Sequence, residues 1–202
     1  MKNFRKLLAA GVAAVMVFSL AGCGGGGSKK VTLDGTWKAT ADTTESYGAG
    51  FDSGMDAGGD RKFSEYIPTM TENITLTLNT DNTYTMEMFT DVDLEAFQDS
   101  YVEYLTDVLT DENGGVPLSE ADLIDIFGTA DLREATAEFF TEEEMDGLFG
   151  ASTYTGTYSE TDGTFELVDD DLGTSAGTFD GQTLTLDLTN YIDMDGIVFT
   201  KA

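Results

Sequence analysis

The chain has 202 residues, of which 38 are acidic and 10 are basic, and it contains one cysteine and no histidine. Without histidine, Ser-His and Cys-His catalysis and the usual zinc and copper ligand sets are excluded. The large negative charge repels phosphate backbones, so we expect no nucleic acid among the partners. Metal ligands are therefore restricted to oxygen atoms, which makes calcium the metal ion to consider. The single cysteine also excludes a disulfide framework.

The N-terminus carries three basic residues followed by an apolar run over residues 7–20. This run is shorter than the ~20 residues that span a bilayer, and the pattern is typical of a secretory signal. The next residues, Leu-Ala-Gly-Cys at 20–23, resemble the lipobox of bacterial lipoproteins. The resemblance implies that residues 1–22 are a signal peptide and that Cys23 receives a covalent diacylglyceryl lipid. Such acyl chains hold a protein stably on a bilayer, so we expect it to be anchored in the cell membrane, on the extracytoplasmic face.

A flexible tether is predicted after the cysteine. Residues 24–28 are four glycines and a serine, with no large side chain able to pack, and Lys29 and Lys30 follow them. Each lysine adds roughly 1 kcal/mol of attraction to anionic head groups. We assign residues 23–32 to the lipidated cysteine and its tether, and residues 33–202 to one domain.

The domain begins with predicted strands. Residues 35–41 favour a strand, and residues 43–63 are rich in Gly, Asp and Ser without a steady period, which predicts a long mobile loop. Residues 73–90 alternate apolar and polar side chains on both sides of a turn at 81–82, so they predict a β-hairpin. Its apolar face, which we expect to line a core, consists of Ile74, Leu76, Leu78, Tyr84, Met86 and Met88.

A helical insertion is predicted over residues 92–149, where apolar residues recur at intervals of three and four. Ser119 and Thr141 each stand three residues before an acidic residue and match the capping pattern of a helix start. A further helix is predicted from Thr129 to Phe140. The first helix should bury Leu94, Phe97, Tyr101, Tyr104, Leu105, Val108 and Leu109, and the helix after Ser119 should bury Leu123, Ile126 and Phe127.

Strands return in the last part of the chain. Residues 153–168 predict a hairpin about Asp-Gly at 162–163, and residues 177–188 predict another about Asp-Gly at 180–181. Residues 196–201 complete a count of seven or eight short antiparallel strands. So many strands must hide their edges, and closing into a barrel achieves this. We therefore predict a mainly β fold, an antiparallel up-and-down β-barrel with an inserted helical segment.

Several short segments carry a family resemblance: Gly35-Thr36-Trp37, the hairpins described above and the terminal Val-Phe-Thr-Lys at 198–201. In these features the domain resembles the small lipocalin-like lipoproteins of Gram-positive bacteria. The resemblance implies an up-and-down barrel and supplies no reaction. It also implies that Trp37 plugs the barrel floor beneath the basic side chain of Lys201, and we predict a structural cation–π contact between these two residues.

Few motifs point to chemistry. Residues 173–177 match Gly-x-Ser-x-Gly, but a nucleophile elbow needs a histidine base, so we predict a turn here. The candidates for a weak calcium site are the aspartates at 52, 56 and 60, the run at 169–171, and Asp193 with Asp195. None has the full EF-hand spacing, and we favour Asp193 and Asp195. No pair of carboxylates is singled out for glycoside hydrolysis, and we expect no enzymatic activity.

Two non-catalytic functions remain as hypotheses. A third hypothesis is that the chain is a carbohydrate-active or calcium-dependent envelope protein. In the first, the barrel is filled and the helical insertion offers a surface to another envelope protein. In the second, the barrel carries or senses a small apolar ligand, with residues 43–63 as a lid. An interior cavity would favour ligand binding, and an exposed apolar patch on the helices would favour a protein partner. Bulky interior side chains favour a filled barrel. The ligand-binding residues of the second hypothesis are Tyr84, Met86, Met88, Phe165, Leu184 and Leu186.

Overall fold

The computed structural model describes residues 33–54 and 61–202. These residues form two compact units, which we call the barrel and the helical unit. The barrel comprises residues 33–43, 71–90 and 151–202, and the helical unit comprises the described residues of 44–70 together with 91–150. The predicted signal peptide, Cys23 and the tether lie outside the described residues.

Eight strands build the barrel: β1 (Gly35–Asp42), β2 (Thr71–Leu78), β3 (Thr83–Asp91), β4 (Ser152–Thr161), β5 (Thr164–Asp169), β6 (Gly173–Phe179), β7 (Thr183–Leu186) and β8 (Ile197–Lys201). Each strand is hydrogen-bonded to the next along the chain, and β8 returns to β1, so the sheet is closed. Antiparallel pairing of β1 with β8 sets Trp37 opposite Lys201. This up-and-down order confirms the predicted fold class.

The tight turns of the barrel follow from their sequences. Asp162 and Gly163 join β4 to β5 with φ angles of 53° and 83°, the left-handed conformation that a two-residue type I′ turn requires. Asn82 has a φ of 64° in the turn between β2 and β3. In the turn between β6 and β7, Asp180 accepts a hydrogen bond of 2.7 Å from the backbone N–H of Thr183. All three predicted turns are therefore confirmed.

Alternate side chains of the strands point into the barrel, as the period of a strand requires, and form one apolar core. A strand glycine makes room for a bulky neighbour in this core. A Cβ atom on Gly156 would lie 2.1 Å from the carbonyl oxygen of Val168 and 2.8 Å from Cε1 of Tyr84. Only glycine allows Tyr84 to lie across β4 in this way.

The match to Gly-x-Ser-x-Gly at residues 173–177 is not a turn, so that prediction is wrong. These five residues lie within β6, and Ser175 is buried on its inward face. The sequence does not predict this strand because its side chains are small and show little apolar alternation.

The described residues of the helical unit form five α-helices: α1 (Thr44–Gly54), α2 (Leu94–Glu112), α3 (Glu120–Phe127), α4 (Leu132–Thr136) and α5 (Glu142–Phe149). They also form two short 3-10 helices, Phe63–Glu65 and Ala137–Phe140. A four-residue helix, α6 (Thr189–Ile192), belongs to the barrel and lies between β7 and β8. Within residues 33–54 and 61–202, no helix has both the length and the apolar character needed to cross a bilayer. The core of the helical unit is mostly aromatic and consists of Phe51, Phe63, Met70, Phe97, Tyr104, Val108, Met145 and Phe149.

The helix α1 corrects the prediction of a loop over residues 43–63, of which it occupies the first half. Glycines pointed to a loop because each disfavours a helix by about 1 kcal/mol relative to alanine. Here a glycine permits close packing, since a Cβ atom on Gly48 would lie only 2.8 Å from Cβ of Ser64. Phe51 packs its ring 5.6 Å from that of Phe63. This burial outweighs the poor helix propensity of the segment.

Capping side chains set the helix starts in the second part of the chain. Ser119 and Asp122 form a capping box, in which each side chain accepts a hydrogen bond from the backbone N–H of the other residue. Thr141 caps α5 as predicted. The helix predicted from Thr129 starts later, after Asp131, whose carboxylate accepts two backbone N–H groups of the first turn of α4.

Candidate functional site

The six residues of the ligand hypothesis all lie inside the barrel, and each is at most 2% exposed. Side chains that line a ligand-sized space keep surface that faces this space, and these six keep almost none. They pack against one another and the rest of the barrel core as ordinary interior side chains. The structure therefore brings the predicted set together, but as a filled core. The six residues are Tyr84, Met86, Met88, Phe165, Leu184 and Leu186.

The contact between Trp37 and Lys201 is present in the barrel. Nζ of Lys201 lies 5.4 Å from the centroid of the Trp37 ring and donates a hydrogen bond of 2.5 Å to the carbonyl oxygen of Asp34. The indole N–H donates to the carbonyl of Leu33 at 2.7 Å. The Trp37 ring is fully buried, and Phe179 packs edge-on against it with centroids 5.8 Å apart. These contacts give both residues a structural role.

The barrel interior also contains a group of polar side chains that the sequence did not predict. The hydroxyl oxygens of Tyr84 and Tyr191 are 2.9 Å apart, and Tyr84 donates a hydrogen bond of 3.3 Å to Oδ2 of Asp169. Ser175, on the neighbouring strand, is 2% exposed and its hydroxyl makes no hydrogen bond of regular geometry. We call these four residues, Tyr84, Asp169, Ser175 and Tyr191, the polar cluster.

The two tyrosines of the polar cluster remain protonated at neutral pH. Burial, the hydrogen bond with Tyr191 and the charge of Asp169 all raise the pKa of Tyr84. Burial also raises the pKa of Tyr191, and hydrogen bonds with Tyr84 and Ser175 oppose that rise. Both phenols are therefore hydrogen-bond donors, and Asp169, which is 7% exposed, is the acceptor at the end of the chain of hydroxyls.

One pattern in the sequence indicates part of the polar cluster. The alternation of Phe165, Leu167 and Asp169 places the aspartate on the inward face of β5. The run of three aspartates at 169–171 indicated a candidate calcium site instead. Tyr191 carries no such signal, because α6 is too short to show a period.

The aspartates that we favoured for calcium have other roles or none. Asp193 ends α6 in the left-handed conformation, with a φ of 59°, and Asp195 is exposed. Asp52 accepts hydrogen bonds from the backbone N–H and the hydroxyl of Ser64, at 3.0 Å and 2.6 Å. The other two aspartates of its group lie outside the described residues. In the part of the chain that the structure describes, no three acidic or other metal-binding side chains are placed to hold an ion.

A second candidate lies on α3, in the helical unit. No residue of this helix is buried. Leu123 and Phe127 are half-buried at the centre of its apolar face, whereas Ile124 and Ile126, at the two edges, are 53% and 57% exposed. The prediction that Ile126 is buried is therefore wrong, because the helical unit covers only the middle of this face.

The surface around α3 is strongly acidic. Residues 91–150 contain 18 acidic side chains and one basic side chain. Arg133 pairs with Asp99, and Arg61 pairs with Asp107 and Asp111 of α2. The hydrogen bond from Arg61 lowers the pKa of Asp111. Two arginines neutralise only a small part of this charge, so α3 presents its exposed apolar side chains in a negative field.

Comparisons of the chain with protein-family models, with curated proteins and with solved structures gave no match. The barrel, the polar cluster and the apolar face of α3 are thus the observations on which a function must be argued.

Proposed function

We propose that this protein is a lipid-anchored, non-enzymatic interaction module of the cell envelope, in which the helical unit binds a basic partner protein through α3. The barrel serves as its scaffold. The exposed apolar face of α3 is the observation that carries the proposal.

The apolar face of α3 is wider than the chain itself covers. Four large apolar residues lie on one side of a helix of eight residues, and two of them are more than half exposed. An amphipathic helix of this kind gains stability when a partner covers the rest of the face, at about 25 cal/mol per Å² of apolar area removed from water. Solvent-exposed isoleucines at both edges of the face therefore support a docking role.

The partner is expected to be basic because of the charge around α3. A groove or helix with lysine and arginine beside its apolar residues would be attracted to the 18 acidic side chains of residues 91–150. An anionic membrane or a nucleic acid would be repelled by the same charge. The expected complex is therefore salt-sensitive, with a faster association at low ionic strength.

The packed barrel supports a scaffold role for the other unit. Its interior side chains fill the space in which a carrier protein would hold an apolar ligand. An eight-stranded barrel is just wide enough to be filled by its own side chains.

The docking role is tested with a synthetic amphipathic helical peptide, which has leucines at intervals of three and four and lysines on the opposite face, titrated into the full chain in detergent micelles. A peptide with glutamine in place of lysine is the matched neutral probe. We expect the lysine peptide to bind in a salt-dependent manner and the glutamine peptide to bind at least about tenfold more weakly. Equal binding of the two peptides would contradict the proposed charge recognition.

Variants locate the binding surface. Ile124→Gln together with Ile126→Gln removes the exposed apolar groups while keeping good helix formers, and should weaken peptide binding at least about tenfold. Val168→Thr changes an exposed apolar residue of the barrel and should leave binding unchanged. An effect of Val168→Thr as large as that of the α3 variant would rule out α3 as the site.

The anchor is tested separately. Metabolic labelling with a radioactive fatty acid in a bacterial host should label the wild-type chain and place it in the membrane fraction. Cys23→Ser should lose both the label and the membrane association. Retention of the label in this variant would exclude Cys23 as the acylated residue.

A further inference from the structure

A short linker, residues 113–118, joins α2 to α3 in the helical unit. Residues 113–117 are exposed and Leu118 is half-buried. All of these residues are described, and none of them belongs to the mostly aromatic core of the unit. Opening the linker therefore exposes little apolar surface, and its structure depends on polar contacts.

The end of α2 is a Schellman motif. The backbone N–H of Gly115 donates a hydrogen bond of 2.8 Å to the carbonyl of Thr110. The backbone N–H of Gly114 donates a hydrogen bond of 3.1 Å to the carbonyl of Asp111. Gly114 has a φ of 72°, the left-handed conformation that this motif requires. Asn113 is the C-cap residue between the helix and the two glycines.

The side chain of Asn113 holds the linker against the helix end. Its Nδ2 donates a hydrogen bond of 2.8 Å to the carbonyl of Val116, a residue that is 60% exposed. An amide can make this bond because it carries N–H donors, whereas a carboxylate only accepts. Conversion of Asn113 to an aspartate would therefore place two acceptors against each other, at the negative end of the dipole of α2.

The residue after Asn113 favours this conversion. Of the six asparagines in the chain, Asn113 alone precedes a glycine. Because glycine has no side chain, its backbone nitrogen approaches the side-chain carbonyl of a preceding asparagine with the least hindrance. A Cβ atom at Gly114 would meet no other atom within 4 Å, so there is open space beside the reacting groups.

We propose that Asn113 is a site of spontaneous deamidation, which opens the end of α2 and the linker to α3. The Gly114 nitrogen attacks Cγ of Asn113, and its proton passes through water to the leaving group. A C–N bond forms, the bond from Cγ to Nδ2 breaks, and Nδ2 leaves as ammonia. Water then opens the resulting succinimide at one of its two C–N bonds, which gives aspartate or isoaspartate. This site is independent of the docking role proposed for α3.

The contacts of the helix end set the rate of the reaction and its consequence. The Gly114 N–H must leave the carbonyl of Asp111 before its nitrogen can attack, so the folded chain reacts more slowly than an unfolded peptide. Only exposed polar contacts oppose this opening, and helix ends open readily. Isoaspartate carries an additional carbon in the backbone, which disturbs the spacing that the bonds of Gly114 and Gly115 need. The end of α2 then does not close again.

Peptide mapping by mass spectrometry tests the site. The full chain in detergent micelles is incubated in a mildly alkaline buffer and then digested with an acid-active protease, so that the free peptides do not react. We expect the peptide with Asn113 to gain the mass difference between an amide and an acid. This should occur at least about tenfold faster than for Asn82, which is exposed but precedes a β-branched threonine. Asn113→Gln keeps the amide but needs a larger ring for the same reaction, so it should remain unmodified over the same period.

Hydrogen exchange of the backbone N–H groups of residues 113–115 measures the opening. Asn113→Asp reproduces the aspartate product directly, and these groups should exchange several times faster in it than in Asn113→Gln. The N–H groups of α5 should be unaffected. The proposal is overturned if residue 113 of the wild-type chain is not modified, if Asn82 reacts equally fast, or if the two variants exchange at the same rate.

Discussion

Replacing Gly156 by alanine should destabilise the barrel, whereas the same substitution at Gly147 should stabilise the helical unit. A Cβ atom at Gly156 would lie 2.1 Å from the carbonyl oxygen of Val168 and 2.8 Å from Cε1 of Tyr84, and real Cβ atoms essentially never approach below 3.0 Å. Gly147 lies in the interior of α5, and a Cβ atom there would have no neighbour within 4 Å.

The magnitudes follow from these distances. Overpacking in a core costs about 1 to 3 kcal/mol, and a backbone carbonyl cannot rotate away as a side chain can, so we expect at least about 2 kcal/mol at Gly156. In a unit of about 100 residues this corresponds to a fall in Tm of roughly 8 °C or more. At Gly147 the loss of backbone entropy on folding is smaller with alanine, which should raise stability by about 0.5 to 1 kcal/mol.

The assay uses two probes because the two units need not unfold together. Trp37 is the single tryptophan of the chain and is fully buried in the barrel, so its fluorescence reports on the barrel. Far-ultraviolet circular dichroism at the helical band reports mainly on the helical unit. Gly156→Ala should shift the fluorescence transition to lower temperature, and Gly147→Ala should shift the dichroism transition to higher temperature.

An unchanged fluorescence transition in Gly156→Ala would refute the reasoning. It would mean that β4 and β5 do not approach each other as closely as described, and the described position of Tyr84 across β4 would also be wrong. A destabilising effect of Gly147→Ala would show, separately, that α5 is not packed as described.

Three further outcomes are expected. Ser119→Ala should cost the helical unit about 1 kcal/mol through loss of the capping box with Asp122, and the dichroism transition should fall while the fluorescence transition stays in place. Lys201→Met keeps the apolar part of the side chain and removes the cation beside Trp37, so the free energy of unfolding of the barrel should fall by about 0.5 to 1 kcal/mol. The tryptophan emission should shift as well. No change in either measurement would contradict the contact. Because folding raises the pKa of Tyr84, this residue alone should cost the barrel up to ~1.4 kcal/mol of stability per pH unit above about pH 10, and Tyr158 and Tyr191, whose pKa values are also raised, add to the loss. Urea midpoints above and below that pH measure the loss, which should be smaller in Tyr84→Phe; a loss of equal size in this variant would assign it to other groups.

The barrel could be predicted because its signals are local. Asp-Gly at 162–163 requires positive φ angles that few other residues adopt, so the turn and its two strands follow directly from the sequence. The pairing of Trp37 with Lys201 followed from the family resemblance, since nothing in the residues themselves links positions 164 residues apart.

The helix α1 and the polar cluster could not be predicted because their causes are tertiary. Gly48 favours a loop in isolation and a helix only where Ser64 packs against it. Asp169, Ser175 and Tyr191 lie on three different elements, β5, β6 and α6, and only the tertiary structure of the barrel brings them together. The same holds for Ile126, whose exposure depends on how much of α3 its neighbours cover.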